Sequence, residues 1–201
     1  MSVVCAAIKD GDIAIGCDTQ ISFGSISVTS KHLSNSNKLH KVNGSIIGIV
    51  GWNTLSDMVD HLIMNRADCF QLSSRMEIYS TLLNLHTIMK SDYFLKAKGG
   101  DDKEPVESSQ LSALIVNQYG LFEITKYREV NQYQKFWTVG SGRQYALGAM
   151  QAVYSSDLTA AQIVTAGIDA SCEFDRACSL PSYVENLQLK PHDSAADLIQ
   201  A

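Results

Sequence analysis

The sequence predicts an α+β protein in which two antiparallel sheets pack face to face and helices cover their outer faces. Three observations carry that expectation. The chain begins with consecutive hairpin signals, and hairpins join antiparallel neighbours. The apolar period then changes from two to about 3.6 residues over two successive segments. The second half repeats the plan, so the order reads strands, two helices, strands, two helices and a final strand, and helices that arrive in pairs after runs of strands belong in outer layers.

Each element has a local signal. Val3 to Lys9 is an apolar run, Asp10-Gly11-Asp12 a hairpin turn and Ile13 to Cys17 a second strand. Met1 and Ser2 precede that first strand, so the start of the chain is expected to enter the sheet. Ser22 to Thr29 reads as an extended piece broken at Gly24, and Lys38 to Val42, Asn43-Gly44 and Ser45 to Val50 as another hairpin. Leu55, Met58, Val59, Leu62 and Ile63 then share a helical face, with Thr54 and Asp57 spaced like a capping box at its start. A second helix is expected with Met76, Tyr79, Leu83, His86 and Met89 as its buried stripe, followed by a polar loop over Lys96 to Ser109 that contains Gly99, Gly100, Asp101 and Asp102. Strands return at Leu111 to Asn117, Leu121 to Thr125 and Phe136 to Val139. Gly140-Ser141-Gly142 opens a helix whose face carries Ala146, Ala149, Met150 and Val153. Asp157 is expected to cap a last helix with Leu158, Ala161, Val164 and Ile168 on one side, and Tyr183 to Leu189 closes as a strand.

Composition narrows the function classes. With 201 residues and 45% hydrophobic content the chain is expected to form one domain over residues 1–201 with a substantial core, and disorder is excluded. Lys and Arg number 16 against 21 Asp and Glu, a net charge of −5, which provides no footprint for nucleic acid. Charged residues are 18% of the chain, below the roughly 25% of ordinary soluble domains, as expected if much surface is used in subunit contacts. No aliphatic stretch approaches the roughly 20 residues of a membrane span, and no basic segment precedes a long apolar run as in a secretory signal. Five cysteines (Cys5, Cys17, Cys69, Cys172 and Cys178) make an odd count without a Cys-x-x-Cys pair, so a reduced, cytoplasmic protein is expected. His32, His40, His61, His86 and His192 form no metal-ligand spacing.

The chemistry-bearing candidate is Ser2. Methionine excision is favoured before small residues, and loss of Met1 places an α-amine and a hydroxyl on one residue. The amine has an ordinary pKa of about 7.7–8.0, so a neutral fraction exists near neutrality and can act as general base for its own hydroxyl.

The stretch from Ser2 to Gln20, with Asp18 sixteen residues after Ser2, resembles the start of mature proteasome β-type subunits, most closely their bacterial HslV branch. Asn37-Lys38-Leu39 resembles the family's segment with its catalytic lysine. Ile47-Gly48-Ile49-Val50-Gly51 resembles the strand end whose glycine donates an oxyanion-hole N–H. Val139-Gly140-Ser141-Gly142 matches its Gly-Ser-Gly turn, and Ile168-Asp169-Ala170-Ser171 falls where it has a supporting aspartate. The resemblance implies an N-terminal-nucleophile hydrolase with a four-layer αββα fold, hydrolysing peptide bonds in unfolded polypeptides. Ser2 would be the nucleophile in place of the family's usual threonine. Lys38, with Lys31 as its nearest rival, would favour the deprotonated hydroxyl and keep the amine neutral, held by Asp18. Gly51 would stabilise the oxyanion, Ser141 and Asp169 would position the amine, and Ile21 and Ile49 would line an apolar first pocket. No cofactor is required by that chemistry. The resemblance also implies a monovalent or divalent cation held by backbone carbonyls near Cys172, Asp175 and Cys178, stacked rings of identical subunits, and an ATP-dependent unfoldase ring as partner. A weakly active or inactive ring-forming scaffold, and a small-amide amidase of the same superfamily, stand as alternatives.

Overall fold

Side-chain alternation along the first strand sets the layering. A computed structural model describes residues 2–97 and 104–190. Here β1 (Val3–Lys9) and β2 (Asp12–Asp18) form a hairpin. Its turn has φ of 52° at Asp10 and 86° at Gly11, the paired positive angles that a tight hairpin with right-handed strand twist demands. A short ribbon follows, β3 (Ile21–Phe23) with β4 (Ile26–Val28). The second sheet is built from β5 (Leu39–Val42), β6 (Ser45–Val50), β7 (Ser112–Asn117), β8 (Gly120–Ile124) and β9 (Val130–Tyr133), adjacent in that order. With β10 (Phe136–Gly140) and β11 (Ser182–Gln188) the first sheet runs β10-β1-β2-β11. Every pairing in both sheets is antiparallel.

Three apolar cores separate four layers. Val4, Ala6, Ile13 and Ile15 point from the first sheet onto Leu39, Ile46, Leu114 and Val116 of the second. Their neighbours Val3, Cys5, Ala7 and Ala14 turn the other way, against α3 (Arg143–Val153) and α4 (Ala160–Phe174). On the far side, Ile47, Ile49, Ile115 and Phe122 meet α1 (Asn53–Arg66) and α2 (Arg75–Asp92). A period of two thus assigns each strand residue to one of two cores, and β1 is buried on both faces. The αββα expectation holds.

Several local expectations do not. Thr54 and Asp57 lie inside α1, whose N-cap is Trp52 without a side-chain cap. Asp157 does not cap α4; Thr159 does, in a reciprocal box with Gln162. The expected stripe of α2 is mostly its outer side. Met76, Tyr79 and Leu83 are exposed, and the helix buries Ile78, Thr81, Leu82, Leu85 and Met89. The strand β9 has one buried residue, Val130, so no alternation marks it in the sequence; pairing with β8 creates it. Within the polar loop, Gly99, Gly100, Asp101 and Asp102 lie outside the described residues, as do Met1 and His192.

The two faces of α2 make a direct comparison. Leu82→Ala removes a buried side chain and is expected to destabilise by about 2–5 kcal/mol, whereas Leu83→Ala on the exposed side should change stability by less than about 0.5 kcal/mol. Urea unfolding of the two variants checks the register, and equal effects would contradict it.

Candidate active site

Asp18 ends β2 at a point that water does not reach, being 0% exposed. A carboxylate there requires donors in every direction. Oδ1 accepts the Val3 N–H at 2.9 Å and Lys38 Nζ at 2.6 Å. Oδ2 accepts the Gln20 N–H at 3.0 Å and the Ser179 N–H at 3.4 Å. One oxygen therefore holds the Lys38 ammonium beside the first peptide of β1, next to Ser2. The lysine is itself buried, 7% exposed, and its placement is fixed from both neighbours. Asn37 Oδ1 accepts the Leu39 N–H at 3.0 Å and faces Cys17 Sγ at 3.7 Å, which joins the segment before β5 to the strand carrying Asp18. Lys31, the rival lysine, is exposed.

Ser2 is buried, 5% exposed, at the head of a strand covered on both faces. Its nitrogen donates to Ser141 Oγ at 3.2 Å, and its carbonyl accepts from Ser141 Oγ at 3.3 Å and from the Gly142 N–H at 3.4 Å. That embrace depends on Gly140. Its φ is +104°, and a Cβ there would strike the Ser2 carbonyl, so the close approach excludes any side chain. Ser171, on the inner side of α4, reaches the Gly142 carbonyl at 3.0 Å and latches the helix onto the same turn.

Gly51 lies just past β6, exposed and with φ of +118°. The strand leading to it is hydrogen-bonded to the site, since the Ile49 N–H donates to the Lys38 carbonyl at 3.0 Å. The backbone at this end of the second sheet is thus tied to the lysine that leads into its edge strand β5.

The structure brings together Ser2, Asp18, Lys38 and Ser141, and parts from the sequence reading at two places. Asp169 does not join them: it lies on the exposed side of α4. The acid at Ser141 is Asp175, one residue beyond the helix end, where the chain turns back toward Asp18. Ile49 does not line an open pocket; at 2% exposure it is packed between the second sheet and α1 and α2. Ile21 is buried in the ribbon beside the site at 8% exposure. The cation expected near Cys172, Asp175 and Cys178 would be held by their backbone carbonyls, in the loop that ends α4. The Asp175 carbonyl already accepts the Cys178 N–H at 2.9 Å. Burial pushes the Cys172 thiol up to about 12 and raises that of Cys178 as well, so both are protonated thiols at neutral pH, which leaves the carbonyls of this loop as the groups that would face a cation. Among the described residues no group of three or more His, Cys, Asp and Glu is placed to hold a metal ion.

The residue missed as a support for Ser141, Asp175, gives no periodic signal because it follows a helix, and its side chain reaches the site through the loop fold. A cavity of about 340 Å³ between the β5–β6 and β7–β8 turns lies at the opposite end of β6 from Gly51 and takes no part in this arrangement. Chemically, the cluster presents a nitrogen and a hydroxyl on one residue, a buried cation beside them and an exposed backbone turn opposite.

A model of the family described as Proteasome subunit matches residues 1–174. Among solved structures, Thiobacillus denitrificans BPH is 31% identical, with a TM-score of 0.88 over 94% of this chain and 99% of that one. A second structure of that protein, in complex with epoxomicin, is 30% identical with a TM-score of 0.85 over 94% and 100%. Eukaryotic HslV from Trypanosoma brucei, 17% identical with a TM-score of 0.64 over 92% and 99%, shares the fold. No curated protein compared with the chain matches it.

The electrostatics of Asp175 give a pH test. Burial alone would raise its carboxyl, but hydrogen bonds from Ser141, the Ala177 N–H and Cys178 outweigh that and hold it below the ordinary value of 3.8. Its contribution to stability is therefore fully present above about pH 4 and is lost as pH falls through the lower, folded-state value. Asp175→Asn should be less stable than the parent in urea near neutral pH, with the gap closing in acid. A gap that widens in acid would contradict this balance.

Proposed function

The chain belongs to the proteasome subunit family, and from that premise we propose that it is a self-compartmentalising peptidase whose nucleophile is Ser2, exposed by removal of Met1. The observation that carries the reading is the shared carboxylate of Asp18, which holds the Lys38 ammonium against the peptide that follows Ser2.

On this reading the Ser2 amine takes the proton of its own hydroxyl as Oγ attacks the substrate carbonyl. Ser141 Oγ accepts one N–H of that amine, which leaves the nitrogen lone pair for the hydroxyl. Lys38 stabilises negative charge growing on Oγ, and the Gly51 N–H donates to the oxyanion. The amine then passes its proton to the departing amine of the substrate, breaking the peptide bond and leaving an ester on Oγ. Water, deprotonated by the same amine, attacks that ester and restores Ser2. Asp175 is a positioning residue: its carboxylate and the Ser2 carbonyl compete for the one hydrogen of Ser141, which sets the direction of the Ser141 lone pairs. Neither a metal nor a cofactor takes part in these steps.

Substrates are unfolded polypeptides, because sites enclosed within stacked rings admit chains only in extended form. Copies of this chain form those rings. The exposed apolar face of α2, with Met76, Tyr79 and Leu83, and the Tyr145–Phe174 ring pair, with centroids 5.6 Å apart, supply candidate contact surface. The free cysteines fit a cytoplasmic location, and an ATP-dependent ring that delivers unfolded chains would be a compatible partner.

Intact-mass measurement should find the chain without Met1, and epoxomicin, the ligand of the related BPH complex, should add to Ser2 and block cleavage of a fluorogenic peptide. Ser2→Ala should abolish both, and Lys38→Ala should lower kcat by about 100-fold or more. Uniform retention of Met1, or peptide cleavage undiminished in Ser2→Ala, would sink the proposal. Negative-stain images showing isolated monomers would remove the ring.

A further inference from the structure

His40 takes no part in the steps above, yet it is a buried imidazole, 6% exposed, on the strand that leads away from Lys38. Its Nδ1 lies 2.5 Å from Asp60 Oδ1 on α1. A carboxylate only accepts, so the ring carries its hydrogen on Nδ1 and donates it there. Among the described residues Nε2 has no hydrogen-bond partner, which leaves the bond to Asp60 as the directional hold on the ring.

The place of that bond in the fold gives it a consequence. His40 is the register partner of Ile47 on β6. From Ile47 the chain runs to the end of β6 at Val50, through Gly51 and Trp52, and along about two turns of α1 to Asp60. Residues 47–60 therefore form a closed bracket, with Gly51 at its bend and His40 joining its two arms. Little touches the bend itself. A Cβ built at Gly51 would meet no atom within 4 Å, and Trp52 caps α1 without a side-chain hydrogen bond and is 69% exposed. On the helical arm Leu55 and Val59 pack into the apolar core, a contact without direction. Among the described residues no other side chain in the first two turns of α1 hydrogen-bonds to the sheet. We infer that His40 and Asp60 are a positioning pair that sets the Gly51 turn against Ser2, so that its N–H meets the oxyanion. The inference rests on the peptidase reading above and adds to it the two residues that aim the oxyanion donor. A displaced donor leaves peptide binding intact but stabilises the developing charge less, so the effect falls on the chemical step.

The test uses His40→Leu, which fills similar space without a donor, and Asp60→Ala, at an exposed side chain whose truncation opens no cavity. With a fluorogenic peptide, kcat should fall about tenfold in both, with KM within about twofold of the parent. Inhibition by a peptide aldehyde, whose hemiacetal with Ser2 Oγ places its oxygen at the Gly51 N–H, should weaken about tenfold as well. A peptide vinyl sulfone bonds Oγ to one alkene carbon and takes the hydroxyl hydrogen on the other. No oxyanion forms on a carbonyl, so its rate of addition to Ser2 should stay within about twofold. His40→Asn presents an amide N–H where Nδ1 stood and should recover kcat to within about threefold of the parent. Asp60→Ala serves if the His40 variants fail to fold. An unchanged kcat in His40→Leu and Asp60→Ala, a rise in KM at constant kcat, or equal losses with aldehyde and vinyl sulfone overturns the inference while leaving the peptidase reading intact. A parent chain that neither cleaves peptides nor takes up epoxomicin overturns that reading, and the inference with it.

Discussion

The carboxylate of Asp18 is the constraint on which the site depends. It is wholly buried, and moving a charge out of water is costly enough that it persists only when its oxygens are satisfied. Here they are met by the start of β1, the lysine before β5, the residue that leads into the ribbon and the loop after α4. Three of these donors, Val3, Gln20 and Lys38, come from the start of the chain and the fourth, Ser179, from near its end. Satisfying one side chain therefore brings them to one point, and truncating it would strand the Lys38 ammonium in the interior, a change that ordinarily costs about 3–5 kcal/mol.

The position of Ser2 follows from the layering. β1 is flanked by β10 and β2 and covered by an apolar core on each face, so its first residues sit on a tightly constrained central strand of the first sheet. Groups that must keep a reacting geometry are better held on such an element than on loops. The glycine at 140 and the serines at 141 and 171 extend that restraint to the Ser2 main chain, which is gripped at both its nitrogen and its carbonyl. The neighbouring thiols are shielded in the same way. Burial lifts Cys5 to about 12 and Cys17 to about 11, so they are packing groups and do not compete as nucleophiles.

Members of the proteasome and HslV group form stacked rings, and this chain carries surfaces suited to contact. The outer side of α2 is apolar over two turns although the helix already buries another face. Trp52, Met64 and Phe174 are also exposed. The low proportion of charged residues is consistent with the same use of surface.

What the amino-acid order determined by itself was the layering and part of the site. The short apolar runs over Val3–Lys9 and Ser45–Val50, the Asp10-Gly11 and Asn43-Gly44 turns, and the Gly-Ser-Gly segment are local signals, legible within a few residues. Ser2, Asp18, Lys38 and Ser141 were recognisable because each sits in a short segment that resembles the family's, in the same order along the chain. Tertiary structure decided the rest. Both sides of α2 carry apolar residues at helical spacing, so periodicity could not choose between Leu82 and Leu83; contact with the second sheet did. The sequence pointed to Asp169 on a helix as the supporting acid, and the path of the loop beyond that helix brought Asp175 to Ser141 instead. Ile49 alternates correctly as a strand residue, but which of two cores it enters depends on the register between sheets. Such choices turn on which surfaces meet across the fold, and that is a property of packing between distant segments, beyond the reach of spacing along the chain.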